Sequence, residues 1–170
     1  TFAIVGSLLA VAVPAFVRDL RSSKWVEPVD GVKAIAEAAA LHAQKQDVPH
    51  AYPPSAPLTP SVVPKGTRAV DPPGVWDHPT WKALGFRAAP EGIPHAYAFA
   101  FDSADGALRS SFAAHAHGDL DGDGITSTFE VRGHVAVPLA ADGGAADGGV
   151  TGAAPESVVE PGMIVEAEVE

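Results

Sequence analysis

The chain begins with an uncharged run, Thr1 to Val17, after which Arg18, Asp19, Arg21 and Lys24 follow in close succession. A helix that is apolar on every side has to be buried all round, so this run restricts the possible folds more than any other feature. As a helix it would span about 26 Å at about 1.5 Å per residue. A bilayer core is about 30 Å thick and calls for about 20 apolar residues, so the run falls a little short of a full span. Three readings compete. A secretory signal carries its basic cluster before the apolar stretch, whereas here the charges come after it. A buried globular helix is the second. The third, which the following residues favour, is the apolar half of one long helix. Val32, Ile35, Ala36 and Ala39 continue an i, i+3, i+4, i+7 stripe, with Lys33, Glu37 and Gln44 off it. Pro14 removes a backbone donor and predicts a kink. Pro28, ahead of Asp30-Gly31, predicts an end or a bend. The helix is expected over 1–46, with Asp47-Val48-Pro49 as its stop.

Prolines then crowd into 47–75, with Pro53-Pro54 and Pro72-Pro73 pairs, and predict extended backbone without ladder donors. A connecting region is expected over 47–95. Within it, Ser55-Ala56-Pro57-Leu58-Thr59-Pro60 mixes apolar and turn residues and can lie against a globular body. Trp76 and Trp81 are expected as core anchors because each ring buries a large area. An aromatic binding surface is the competing reading.

From Ala96 to about residue 138 the period changes to two. Tyr97, Phe99 and Phe101 alternate with Ala96, Ala98 and Ala100. Asp105-Gly106 is a hairpin-turn signal. A second run sets Phe112, Ala114 and Ala116 against Ala113, His115 and His117. A third sets Phe129, Val131, Val135 and Val137 against Glu130, Arg132 and His134. These runs predict an antiparallel meander with one apolar face, and the Val32/Ile35/Ala39 stripe is its natural cover.

Between the second and third runs, Asp119-Leu120-Asp121-Gly122-Asp123-Gly124-Ile125-Thr126-Ser127-Thr128-Phe129-Glu130 matches the calcium-loop pattern D-x-D-x-D-G-x5-E. Calcium is a hard cation that takes about six to eight oxygens. Asp119, Asp121 and Asp123 offer carboxylates at alternate positions, Ile125 its backbone carbonyl, Ser127 a hydroxyl or a bound water, and Glu130 two oxygens. Gly124 permits a sharp turn. Without a cation the carboxylates would repel one another. The flanks alternate like strands and Thr126 stands where a helix–loop–helix site places an apolar residue. The loop is therefore expected inside a β-hairpin, with a structural metal. An Asp/Gly-rich turn that binds nothing is the competing reading. Magnesium is disfavoured by its demand for tight octahedral geometry.

The remaining signals are weaker. His115 and His117 share a strand face and His134 is placed across from them. A solvated or hydrogen-bonded face is favoured over the competing reading, a transition-metal site. No nucleophile elbow, dinucleotide fingerprint or P-loop occurs, so no catalytic role is expected. The absence of Cys excludes disulfides, thiolate zinc sites and cysteine nucleophiles. The net charge of −10 argues against coating nucleic acid or an anionic membrane surface. Residues 139–170 form an acidic tail, rich in Gly and Ala over 141–157. There Met163-Ile164-Val165-Glu166-Ala167-Glu168-Val169 alternates, and is read either as a late strand on a neighbouring edge or as a solvated tail.

Ala3-Ile4-Val5-Gly6-Ser7-Leu8-Leu9-Ala10-Val11-Ala12-Val13-Pro14-Ala15-Phe16 resembles the N-terminal helix of type IV pilins. Arg21-Ser22-Ser23-Lys24, Glu27 and Val32-Lys33-Ala34-Ile35 are similar to its continuation. Tyr52-Pro53-Pro54, Leu58-Thr59-Pro60, Trp76, Trp81-Lys82-Ala83-Leu84-Gly85-Phe86 and the Gly118-to-Glu130 loop resemble a pilin-like subgroup with a calcium loop. If Gly6 and Pro14 take the family's glycine and proline positions, about eight residues precede Thr1 in a mature subunit and lengthen the run to about 25, enough to cross a bilayer. They would include the leading Phe and the glutamate that neutralises a neighbouring N-terminus.

The resemblance implies an α+β protein, a long N-terminal α-helix kinked at Pro14 and packed on a C-terminal antiparallel sheet. It further implies a structural subunit of an extracellular filament, held in the inner membrane before assembly. Its partners would be identical or related pilin subunits in a helical polymer, and Ca2+ would sit in the head. The alternatives are a pseudopilin of a type II secretion system and a membrane-tethered calcium-binding module that does not polymerise.

Overall fold

A computed structural model describes residues 25–136 and the backbone of 156–158. The uncharged run, the Pro14 kink, the Gly/Ala-rich 141–157 stretch apart from its last two residues, and the 163–169 alternation lie outside the described residues.

Helix α1 occupies 25–43 of that part. It does not end at Pro28, whose side chain is fully buried. It stops three residues short of the expected boundary. Lys45 and Gln46 donate to His42 and Ala43 at 3.0 and 3.2 Å, the tighter i→i−3 pattern of a closing turn. The predicted stripe of Val32, Ile35, Ala36 and Ala39 is the buried inner face, and Ala43 extends it by one turn, while Lys33 and Glu37 are exposed. Alanines on this face let the helix axis approach its partner closely.

That partner is a sheet of β1 (Ala56–Thr59), β2 (Ala98–Gly106), β3 (Arg109–Gly118), β4 (Ser127–Ala136) and β5 (Glu156–Val158). The strands are antiparallel throughout and follow chain order across the sheet. The architecture is α+β. Phe99, Phe101, Phe112, Ala114, Ala116, Phe129, Val131 and Val135 join the helix stripe in one core. Their alternation along the strands is the consequence of one covered face and one solvated face. Val135 and Phe129 keep the parity expected of them; Val137 lies outside the described residues.

The β2–β3 turn differs from expectation. Gly106 pairs with Arg109, so the turn falls at Ala107-Leu108, two residues beyond Asp105-Gly106. Asp105 is held in the strand by other contacts. Its carboxylate accepts from the His50 amide at 3.0 Å and from the Ser110 hydroxyl at 2.8 Å, and meets His50 Nδ1 at 2.7 Å.

The Pro-rich segment is folded onto the body. Strand β1 contains Pro57 and, among the described residues, pairs only with β2, with an irregular register. Proline is tolerated there because an edge strand has one side without a ladder. Short helix α2 (Pro79–Leu84) starts on a His78 cap and ends at Gly85, whose φ of 61° is the left-handed C-cap conformation. It carries Trp81 into the core beside Trp76, with ring centroids 5.5 Å apart at an edge-on angle. Both indoles are buried and both N–H groups are satisfied, by Asp71 at 2.6 Å and Thr59 at 2.9 Å.

Candidate metal centre

The β3–β4 connection is the acidic loop, so the loop does lie within a β-hairpin. Strand β3 ends at Gly118 and β4 begins at Ser127, paired to each other across the neck. Asp119 is anchored first. Its backbone bridges to Lys65, and its carbonyl accepts from Gly66 N at 2.8 Å. Its carboxylate is turned inward, 2 % exposed, and accepts from Gly122 N at 2.8 Å and Gly124 N at 3.1 Å. Asp121 and Asp123 then repeat the same local device. Asp121 accepts from Asp123 N at 3.3 Å and Asp123 from Ile125 N at 2.7 Å. These bonds run from a side chain to an amide a few residues on, which is how aspartate rather than a ladder organises a loop. Gly122 and Gly124 take φ of 81° and 94°, where a side chain would be strained.

The outcome is a convergence of charge. One carboxylate oxygen from each of Asp119, Asp121 and Asp123 lies within 4.8 Å of the others. Among the described residues this is the single group of three or more His, Asp and Glu side chains whose ligand atoms all lie that close to one another. Asp121 and Asp123 are exposed, so the cluster has a solvent-facing side and a buried floor. Three hard oxygen donors around one point can hold a metal ion, but carboxylates alone do not select among hard divalent cations.

The other predicted donors are placed as follows. Ser127 opens β4 opposite Gly118, and Ile125 sits in the loop with its side chain 51 % exposed. The structure does not bring Glu130 to the three aspartates. It lies inside β4 opposite His115, and its carboxylate meets His115 Nδ1 at 3.3 Å and Arg132 Nε. Phe129 faces the core, so strand alternation sends Glu130 out of the other face. In a helix–loop–helix site the chain curls back at that position; here it has already entered a strand.

The histidine face is a polar ladder. His115 stands between carboxylates of both neighbouring strands, with Nε2 3.3 Å from Asp102 of β2. His117 stacks beside it at 6.1 Å and its Nδ1 meets Thr128 Oγ1 at 3.0 Å. Burial, reinforced by His115, pushes the His117 imidazole below its ordinary range. His134 is opposite Ser111, four positions along the ladder from His115, so the three imidazoles do not converge as placed from sequence.

Sequence reasoning missed the Lys65-Gly66 support under the loop. Gly66 approaches Gly122 so closely that a Cβ on either would lie 3.5 Å from the other's Cα. Pro64-Lys65-Gly66 reads as a turn, but nothing local says which turn it touches. It also missed the buried His95, whose Nε2 meets Asp71 at 2.8 Å and whose Nδ1 meets the Tyr97 carbonyl at 2.8 Å. Comparison of the chain with protein-family models, curated proteins and solved structures gives no match in any of the three.

Proposed function

We propose that this chain is the structural subunit of a type IV pilus-like filament, with a calcium ion stabilising its β head. The observation that carries the reading is an order along the chain: the uncharged run Thr1 to Val17 precedes in sequence a helix at 25–43 whose inner stripe is buried on an antiparallel meander. An apolar rod joined to a polar head has two environments that suit it, lipid and the company of other rods. In this reading the run holds the subunit in the inner membrane and then leaves lipid to line the filament axis. Burial is favourable at about 25 cal/mol per Å², so a run of this length drives association before entropy is counted. The head faces the medium. The acid-rich half beyond residue 75 then lies on the outside of the polymer, where charge keeps it soluble. No helix among the described residues is long and apolar enough to cross a membrane.

Calcium is the cation this reading assigns to Asp119, Asp121 and Asp123, with Ile125 and Ser127 as the neighbouring oxygen donors. The buried Asp119 carboxylate fits such an ion, because a hard cation compensates charge that water cannot reach. Bound calcium would supply no chemistry beyond neutralising and orienting these carboxylates. The aspartates would set the conformation of the outward hairpin.

Electron microscopy of material sheared from cells that make the protein tests the filament. Long surface fibres labelled by antibody to the head support it. A short periplasmic stub would instead indicate a secretion pseudopilus, and monomers alone would defeat both.

A further inference from the structure

Strand β4 is paired along its whole length with β3, but only His134, Val135 and Ala136 pair with β5. Among the described residues nothing pairs with its outer edge from Ser127 to Gly133. An edge of that length presents a row of N–H and C=O groups that accept another strand. β5 already fixes a register there: Ala136 stands opposite Glu156, Val135 opposite Ser157 and His134 opposite Val158.

Carried forward one residue at a time, this register would set Val159 against Gly133, Glu160 against Arg132, Pro161 against Val131, Gly162 against Glu130, Met163 against Phe129, Ile164 against Thr128 and Val165 against Ser127. Residues directly opposite share a face of the sheet. Phe129, Val131 and Gly133 are buried on the helix-covered face, and the positions opposite them read Pro, Val or Met. Arg132 is exposed on the other face, and the position opposite it is a glutamate. A slip of one residue would carry Glu160 to the buried face, so the pattern selects this register. Pro161 is compatible with an outermost strand, where one side needs no donors.

We propose that the open edge of β4 is a strand-acceptor surface, and that its occupant is this chain's own segment 159–165, continuing β5. Its direct tether to β5 gives it a high effective concentration over the same segment of another copy. The proposal stands whether or not the protein forms filaments.

The chain has no cysteine, so paired substitutions in the full chain report the contact without background. Arg132→Cys with Glu160→Cys, and independently Thr128→Cys with Ile164→Cys, should oxidise to intrachain disulfides. The recombined pairs, Arg132→Cys with Ile164→Cys and Thr128→Cys with Glu160→Cys, should close several-fold less, because they sit too far apart for the bond. Having two in-register pairs keeps the test valid if one disturbs folding. Equal closure by the recombined pairs, closure by no pair, or disulfides between two chains would each overturn the proposal.

Discussion

Gly31 of α1 meets the ring of Phe99 in β2 so closely that a Cβ at residue 31 would overlap Phe99 Cε1 and Cζ. The ring has nowhere to retreat, because Phe86 packs edge-on against it at 5.1 Å and Trp76 lies at 6.5 Å. Helix and sheet are therefore seated through a gap that only glycine leaves.

Gly31→Ala tests that seating. Alanine in a helix interior is worth about 0.5–1 kcal/mol over glycine, while overpacking a core costs about 1–3 kcal/mol. The second effect should win, with a net loss of about 1–2 kcal/mol in urea denaturation. An unchanged or raised midpoint would mean that α1 is not packed on Phe99.

Thr59 ties the Pro-rich segment to the core. Its hydroxyl donates to the Pro57 carbonyl and accepts from the buried Trp81 Nε1. Thr59→Val keeps the shape but leaves the indole N–H without an acceptor, a loss of about 1–3 kcal/mol. Thr59→Ser should recover most of it. Equal stability of the valine and serine variants would remove this bond from the account.

Much of the sheet was legible because burial on one face imposes a period of two, which local sequence records directly. Phe112, Ala114 and Ala116 announce their strand without reference to anything distant. The helix stripe was legible for the same reason. What escaped were outcomes decided by long-range partners. The hairpin signal at Asp105-Gly106 is real as local chemistry, but Asp105 is claimed by His50 and Ser110, and the turn moves on. Glu130 fits the spacing of a metal loop, yet a strand that starts at Ser127 aims it at His115 instead. The three aspartates came together because their bonds are local; the Lys65-Gly66 support did not show because it comes from the far end of another loop.

Acid should loosen the head. Burial holds the His117 imidazole below its usual value near 6.5, and bonds from Ser110 and His50 hold the Asp105 carboxyl below its ordinary range. In both cases the unfolded chain binds the proton more readily than the folded one. Each group therefore contributes stability above its unfolded value, and that contribution is lost as pH falls through the lower folded value. Melting temperature should decline from about pH 6.5 downward, first through His117 and then through Asp105. In His117→Gln the upper part of this decline should flatten. A variant that melts with the wild-type pH profile would exclude His117 as the source.

Calcium should raise the melting temperature and excess chelator should lower it. At free ion a hundredfold above its dissociation constant, the stabilisation expected from mass action is about 2.7 kcal/mol. Asp121→Ala removes an exposed donor and should abolish the calcium response. If the protein melts identically in calcium and in chelator, the loop is a turn held by its own aspartates. If magnesium acts equally well at equal concentration, the assignment to calcium fails.

The central claim is that the uncharged run at the front of the chain is buried among copies of itself. Replacing Leu8 by Asp places a charge in that run without touching the head, whereas Leu8→Val keeps it apolar. Surface filaments counted by electron microscopy should vanish in the aspartate variant and persist in the valine variant, with equal amounts of folded head in both. Filaments that assemble normally with Asp at position 8 would contradict the account.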